Sequence, residues 1–374
     1  MPSPPLRPLT LVLTLATAAC AGEAAPPSAG APAERIAAPF EETSYYARNV
    51  WDMQAFGGRI YLAHGDEIDN RGPVTLWTLD PATGGVSPGY RTDEEQVDLF
   101  RVLRGELYVP GHDPRGRWSR GNFYRLARGG WTRYRTIPHG VHTFDLAVHE
   151  GRLFAALGTS SRPTLVYSDD EGRTWMPATA ETRRMHVLFE FAGGLYAAPK
   201  LRTDAAAGAG TLLRFDGTRF VSTGMGGAAL LPGLPDTAGR MVRPLEFRGY
   251  LVYVVASGAI NWKPAALAAS RTLRDARAIP LPDAYAVPYD LLSRDSTLYV
   301  LAAAPDGEHA YTILVYATRD LTDWHEVVRF TAPTFARSFE ESGGDFYFGL
   351  GCTYQAPSPA SGEVLRVRRA ALRP

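Results

Sequence analysis

Seven side chains that can bind anions or exchange protons stand at or beside one recurring point of the sequence. They are Asp98, His142, Asp145, His186, Arg243, Tyr289 and Arg337. Arginine pairs with planar anions through two parallel hydrogen bonds, and histidine gains or loses a proton near neutral pH. If one rim brings these groups together, they predict a site for an anionic or sugar-like ligand. The alternative is a water-filled channel whose walls are polar for that reason alone.

Two segments contain residue types that bind metal ions, but neither has a convincing ligand spacing. His139 and His142 are three residues apart with Asp145 nearby, yet no Cys or Glu has a matching spacing. The loop 64–70 carries three carboxylates without the length or spacing of an EF-hand, and His112 stands at the equivalent place in the next repeat. We therefore expect no metal and no cofactor, with Ca²⁺ in the 64–70 loop as the open alternative.

A turn residue followed by a short apolar-aromatic strand recurs along the whole chain. Its central aromatic residue returns at intervals of 42 to 57 residues, at Tyr61, Tyr108, Phe154, Tyr196, Tyr253, Tyr299 and Tyr347. Each repeat of roughly 48 residues has room for four strands, and no long helical period interrupts the pattern. The repeats predict an all-β fold over residues 39–374, a seven-bladed β-propeller of four-stranded antiparallel sheets. Two separate β-sandwich domains are the alternative.

The last repeat is one strand short, because the chain ends soon after the apolar strand Val364-Leu365-Arg366-Val367. An open sheet edge is a liability, so the ring should be closed by a strand from the other end of the chain. We expect residues 43–47 to supply that outer strand. On this arrangement, the residue about ten positions before each aromatic marker lies near the mouth of the central channel.

The segment Ser168-Asp169-Asp170-Glu171-Gly172-Arg173-Thr174-Trp175 contains every fixed position of an Asp-box: Ser168, Asp170, Gly172, Thr174 and Trp175. The serine and aspartate side chains can bond the turn's backbone N–H groups, the glycine permits an unusual backbone conformation, and the tryptophan can pack between sheets. Here the chain resembles the Asp-box or BNR-repeat β-propellers, which include the sialidases. The resemblance implies a hairpin on the outer side of a blade and a structural role for these residues.

The same resemblance implies a set of sialidase residues. Sialidases use three arginines around a carboxylate, a tyrosine nucleophile beside a glutamate, and an aspartate as the acid. Arg243, Arg337 and Tyr289 are predicted at channel height, with Glu246 and Asp98 nearby. The chain departs from the family because it lacks the Arg-Ile-Pro segment of the first blade, has one complete Asp-box, and shows seven repeats where sialidases have six.

The N-terminus has the pattern of a bacterial export signal. Residues 1–19 have one positive charge followed by an apolar run, and Thr17-Ala18-Ala19-Cys20 resembles a lipobox apart from Thr17, where leucine is usual. We expect a signal peptide over 1–19, lipidation of Cys20, and a disordered tether over 20–38. The protein would then be lipid-anchored in the cell envelope, periplasmic or on the outer surface. A plain signal peptide cleaved near Ala18 or Ala19, giving a secreted protein, remains open.

Charge narrows the choice of partners. The chain has 39 basic residues (Lys and Arg) and 39 acidic residues (Asp and Glu), so no excess of positive charge favours binding to nucleic acid. Contact with a membrane would be through the lipid alone. The chain has no Gly-rich phosphate loop and no Gly-x-Ser-x-Gly elbow. The prediction is a monomeric binding module for a glycan, a peptide or an envelope protein, with a sialidase-like glycoside hydrolase as the alternative.

Overall fold

The structure is a computed structural model that describes residues 32–40, 42, 44–115, 119–159, 162–202, 210–234, 238–258 and 263–372. The proposed signal peptide, Cys20 and the tether as far as residue 31 lie outside these ranges. The described residues contain two short helical segments, Gly227–Leu230 and Arg369–Ala371, and no helix among these residues could span a membrane.

The described residues form seven antiparallel sheets arranged as a ring of blades, which confirms the predicted seven-bladed β-propeller. From the inner to the outer strand, the blades are Asp52–Phe56, Arg59–Ala63, Thr75–Leu79 and Val86–Arg91; Arg101–Leu103, Glu106–Pro110, Arg120–Ala127 and Gly130–Pro138; Thr143–His149, Arg152–Leu157, Leu165–Ser168 and Met176–Pro177; Met185–Phe191, Gly194–Pro199, Leu213–Phe215 and Phe220–Ser222; Ala238–Phe247, Tyr250–Ser257, Lys263–Ser270 and Arg277–Ile279; Val287–Arg294, Thr297–Pro305, Tyr311–Thr318 and Trp324–Ala332; and Ala336–Ser342, Asp345–Leu350, Val364–Val367 and Glu34–Ala37.

Two small additions break the regularity of the ring. Leu201–Arg202 pairs with the inner strand of blade 5 as a fifth strand, and Glu94–Gln96 pairs with His112–Pro114 as a separate two-stranded sheet. The second addition joins the entry to blade 2 with the loop after that blade's second strand. It therefore thickens one sector of the channel mouth.

Five of the seven aromatic markers are buried between neighbouring blades, and the other two, Tyr196 and Tyr299, are half-buried. Phe154 of blade 3 is fully buried, and its ring centroid lies 4.9 Å from that of Phe215 in blade 4. Tyr253 and Tyr347 are also buried, at the same place on the second strands of blades 5 and 7. Burying one large ring per blade contributes roughly 1.5–3 kcal/mol each time, so the repeat that is visible in the sequence is a repeat of the core.

The ring is closed by a strand from the N-terminal side, as predicted, but a different segment supplies it. Glu34–Ala37 pairs antiparallel with Val364–Val367, and the Glu34 carboxylate accepts hydrogen bonds from Arg366 and Arg368 at 2.9 and 3.2 Å. The prediction for residues 43–47 is wrong: Thr43 lies outside the described residues, and residues 44–47 form a turn. The outer strand also lies within the range assigned to the tether, so the propeller begins before residue 38.

Chain length explains this correction. The path from the outer strand of blade 7 to the inner strand of blade 1 crosses three strand spacings, or about 14 Å, and must also pass to the next blade. Residues 48–51 could span at most about 14 Å when fully extended, which leaves nothing for the turn. The fourteen residues between Ala37 and Asp52 cover the distance easily.

The turn over residues 168–175 connects the outer strands of blade 3. The Asp170 carboxylate accepts bonds from the Thr174 backbone and side chain at 2.8 and 2.7 Å and from Ser168 Oγ at 2.8 Å, and these bonds lower its pKa to about 2. Gly172 has φ +84°, and a Cβ there would lie 2.4 Å from the Phe123 ring. Trp175 packs edge-on against the same Phe123 of blade 2, with centroids 5.9 Å apart. The turn therefore packs blade 3 against blade 2 on the outer side of the ring, away from the channel.

Candidate functional site

A cavity of about 280 Å³ opens at the channel mouth among blades 1 to 5. Five of the seven predicted rim residues line it: Asp98, His142, Asp145, His186 and Arg243. The other two, Tyr289 and Arg337, are not part of its lining. Aromatic rings, histidines, arginines and carboxylates share the walls, so the cavity is polar with aromatic faces.

Most rim residues stand at an irregularity of the inner strand. In blades 3 to 7 the pairing of the first two strands shifts register, and the extra residues are Phe144, His186, Arg243 with Pro244, Tyr289 and Arg337. A β-bulge leaves one residue unpaired and turns its side chain away from the regular alternation. In these five blades the bulge therefore turns one inner-strand side chain away from the regular alternation, towards the channel side.

Arg337 and Tyr289 pack against neighbouring side chains beside the cavity. Arg337 is 3% exposed, donates to Asn49 Oδ1 at 3.0 Å and to the Cys352 carbonyl at 3.2 Å, and lies 4.3 Å over the Trp51 ring. The Tyr289 ring stacks on Phe335 at 4.7 Å. Blade 7 is thus joined to the segment that enters blade 1, and blade 6 to the segment that enters blade 7.

Asp145 and Arg243 tie blades to one another. Asp145 binds the Arg101 guanidinium through two bonds of 2.8 and 2.7 Å and accepts the Leu188 N–H of blade 4 at 2.8 Å. Arg243 in blade 5 lies 2.9 Å from Asp52 of blade 1 and 3.2 Å from Asp290 of blade 6. Both residues line the cavity, but their hydrogen-bonding capacity is largely used by these inter-blade pairs.

A histidine cluster occupies the sector built by blades 1 to 4. His112 is buried between two carboxylates: its Nδ1 lies 2.7 Å from Asp98 Oδ2, and its Nε2 contacts Glu67 Oε2. Phe144 lies between the other two histidines, with its ring centroid 5.5 Å from that of His142 and 4.5 Å from that of His186. The His112 ring meets the His142 ring edge-on at 5.5 Å, which links the two groups.

The three histidines of this sector have opposite protonation preferences. Burial alone would lower the pKa of His112, but Asp98 and Glu67 raise the pKa well above its ordinary value. Burial, His112 and Arg184 lower the pKa of His142 to about 4. Burial and the nearby Arg240 lower the pKa of His186 well below its ordinary value. At neutral pH the cavity therefore presents one imidazolium and two neutral imidazoles.

Backbone hydrogen bonds hold the loops of this sector in place. Gly65 forms a bridge with Gln96, and His112 forms another with His142. The Val97 N–H donates to the His64 carbonyl at 2.9 Å, which fixes the first pair of loops. Together with the two-stranded sheet, these bonds place Glu67, Asp98, His112 and His142 on one continuous strip across three blades.

Sequence reasoning did not select Glu67 and His112 as rim residues. Both lie after the second strand of a blade, whereas the predicted rim residues lie at or near the start of the first strand. The available signal was the repetition of His64 and His112 at equivalent places. The structure brings only the second of these histidines into the cavity lining.

The sialidase set does not converge on one cavity in the described residues. Arg337 and Tyr289 lie outside the cavity that Arg243 lines. The Glu246 carboxylate accepts the Ala192 N–H at 2.9 Å on the adjoining hairpin of blade 4. Of the residues predicted for such a set, only Arg243 and Asp98 line this cavity.

Comparison with known proteins supports the fold and goes no further. No protein-family model and no curated protein sequence matches the chain. Among solved structures, a chain of the mitotic checkpoint complex aligns with a TM-score of 0.55 and 14% identity, over 96% of this chain and 99% of that one. The β-propeller domain of the Trilobed protease from Pyrococcus furiosus aligns with a TM-score of 0.51 and 8% identity, over 84% of this chain and 93% of that one. At such identities the likeness shows the propeller fold alone.

Proposed function

We propose that this protein is a binding module that takes the end of a glycan into the channel cavity. The observation that carries the proposal is the cavity of about 280 Å³ whose walls combine aromatic rings with histidine, arginine and carboxylate groups. Small-molecule sites are concave and have apolar or aromatic walls with a few placed polar groups. The volume is near the lower end for such sites, so it suits one or two sugar residues and excludes a folded partner.

The mixture of side chains favours a sugar over a peptide. A sugar hydroxyl both donates and accepts hydrogen bonds, so it can pair with a neutral histidine, an arginine and a carboxylate in the same cavity. Phe144 offers an aromatic face beside His186, and Arg184 lies exposed on the cavity rim. Because Asp145 and Arg243 are engaged between blades, we assign direct ligand contact to Phe144, His186 and Arg184.

The proposed place of action is the bacterial envelope. The leader over residues 1–19 and the lipobox-like segment ending at Cys20 support a lipid anchor, followed by a tether and the propeller. A cavity that faces away from the membrane on such a tether could sample glycans of the periplasm or of the cell surface. If the leader is simply cleaved, the same propeller is secreted.

A glycan array followed by isothermal titration calorimetry tests the binding proposal. We expect a terminal sugar to bind, and Phe144→Ala and His186→Ala to weaken binding by roughly 5- to 20-fold, since each contact contributes about 1–2 kcal/mol. Tyr285→Ala is the matched control, because Tyr285 is 81% exposed and does not line the cavity.

Two outcomes would contradict the proposal. One is that no glycan binds at millimolar concentration. If a peptide binds in the cavity instead, the ligand is a peptide and the assignment to a glycan is wrong. The other is equal affinity in wild type, Phe144→Ala and His186→Ala. Turnover of fluorogenic sialosides that is lost in Tyr289→Phe would favour the sialidase-like alternative.

A further inference from the structure

Glu67, His112 and His142 together have the ligand set of a transition-metal site. Each offers one ligand atom, and the three atoms lie within 4.8 Å of one another. In the described residues they are the only such group of three or more His, Cys, Asp or Glu side chains. Two histidines and one glutamate are a recurring protein set for Zn²⁺, which leaves a fourth position open to water or a ligand.

The backbone presets the positions of these three residues. The two-stranded sheet pairs Gln96 with His112, and the His112–His142 bridge is flanked by a bond from the Thr143 N–H to the Gly111 carbonyl of 2.8 Å. Asp113, directly after His112, has φ +70°, a left-handed conformation that is uncommon outside glycine.

A carboxylate orients the central histidine as it does in many metal sites. Asp98 Oδ2 lies 2.7 Å from His112 Nδ1, which leaves Nε2 directed at Glu67. Gln96 in turn donates from its side-chain amide to the other oxygen of Asp98. A carboxylate on the far nitrogen fixes the tautomer and ring orientation of a metal-binding imidazole. Asp98 is thus placed as a positioning residue rather than as a ligand.

His142 has a buried nitrogen that the protein does not satisfy. Its Nδ1 is screened from solvent and has no hydrogen-bond partner among the described residues. The nearest carboxylate oxygen, Asp113 Oδ2, lies 3.8 Å away, beyond hydrogen-bonding distance. Buried polar atoms normally have a partner, so this nitrogen points to a bound species.

We propose that Glu67, His112 and His142 bind one divalent transition-metal ion, with Zn²⁺ as the reference ion. Two imidazoles and a carboxylate favour Zn²⁺ over Ca²⁺ and Mg²⁺, which prefer oxygen ligands. The loop carboxylate Asp66 accepts the Ile68 and Asp69 N–H groups at 2.9 and 3.2 Å, so it stabilises the turn. To admit the ion, His112 must release its Nε2 proton to solvent, and Glu67 must move from direct contact with His112 to a ligand separation of about 3.3 Å.

The metal would lie on the cavity wall, because all three ligands line the cavity. Its open position would face the same space as Phe144 and His186, where an oxygen of a bound molecule could coordinate it. This inference goes beyond the proposed glycan binding and is measured without any glycan. Failure of one proposal therefore does not decide the other.

Metal binding is tested on the purified full chain after treatment with a chelator, by calorimetric titration with Zn²⁺ and by elemental analysis after dialysis. We expect one Zn²⁺ per chain, and at least a 100-fold loss of affinity in Glu67→Gln, His112→Ala and His142→Ala. Asp98→Asn should lose about 10- to 100-fold, as expected for a group that orients a ligand. Titration with Co²⁺ should give the visible absorption of a low-coordinate site, which Asp98→Asn should alter.

His149→Ala is the matched control, because His149 binds the Glu190 carboxylate at 2.7 Å outside the cavity. It should retain wild-type affinity. Circular dichroism and metal-free melting curves establish that each variant is folded, and the conservative Glu67→Gln keeps the test valid if a histidine variant unfolds. A wild-type chain that retains no stoichiometric Zn²⁺, or folded Glu67→Gln and His112→Ala proteins that bind as wild type does, would overturn the proposal.

Discussion

Replacing Arg243 with methionine should uncouple the blades that meet at the centre of the ring. Arg243 Nη2 lies 2.9 Å from Asp52 Oδ1 and donates to the Trp51 carbonyl at 2.8 Å, while its Nε lies 3.2 Å from Asp290 Oδ1. The two carboxylate side chains are 7% and 6% exposed. Removing one partner of a buried ion pair leaves uncompensated charge and costs about 3–5 kcal/mol. We expect a loss of that size in the free energy of unfolding.

The pH dependence of this loss has a definite sign. Burial raises the pKa of Asp290 to about 7 and also raises the pKa of Asp52, although Arg243 opposes both shifts. Without the arginine these pKa values rise further, and a group with a raised folded pKa stabilises the protein only below that pKa. The difference between wild type and Arg243→Met should therefore be largest near pH 8–9 and shrink towards pH 5.

Urea unfolding and thermal melting between pH 5 and pH 9 measure both quantities. Arg329→Met is the matched control, since Arg329 pairs with Glu326 at 2.6 Å on one outer strand and is 34% exposed. A partly exposed pair contributes about 0–1 kcal/mol. An Arg243→Met protein within about 1 kcal/mol of wild type at every pH would show that water screens the channel charges and would refute the reasoning.

Two further predictions concern the N-terminal part of the chain. A chain that lacks residues 1–37 should melt at a lower temperature and self-associate through the exposed edge Val364–Val367. A chain that lacks only residues 1–31 should behave as the mature protein does. Equal melting temperatures of the two truncated chains would show that the strand Glu34–Ala37 does not stabilise the ring. Expressed in a bacterium that processes the leader, the wild type should fractionate with membranes and Cys20→Ala should be released, as followed by cell fractionation and fatty-acid labelling. Identical fractionation and no label would rule out lipidation.

The blade architecture could be predicted from the sequence because its signals are local. Each blade repeats a turn, an aromatic residue and alternating apolar positions, and those aromatic residues fill the inter-blade space. The closing strand gave no such signal. Glu34–Ala37 is four residues long, lies in an Ala- and Pro-rich stretch, and pairs with residues more than 300 positions away. Long-range pairing of so short a segment is decided by tertiary contacts rather than by propensity.

The sequence could predict which position of each inner strand lies at the rim, but it could not predict which side chains line the cavity. Counting ten residues back from each marker reached the bulges of five inner strands, which explains why the rule found cavity residues such as His186. It failed for Arg337 because Trp51, Asn49 and Cys352 fill that sector when the ends of the chain meet. It missed Glu67 because this residue reaches the cavity from a loop after a second strand. Which side chains share a space depends on neighbours that the repeat does not encode.

The residues that recur around the ring differ in role from those that do not. Nine positions before the marker, Asp52, Asp145 and Asp290 each accept the N–H of the next residue and one N–H of another blade. A role repeated in three blades is explained by the need to join blades, and it requires no ligand. Glu67, His112 and His142 occupy a strip that an extra two-stranded sheet builds in one sector alone. The repeat of the blades accounts for Asp52, Asp145 and Asp290, but it does not account for this strip. The strip is therefore the part of the rim where we expect binding chemistry.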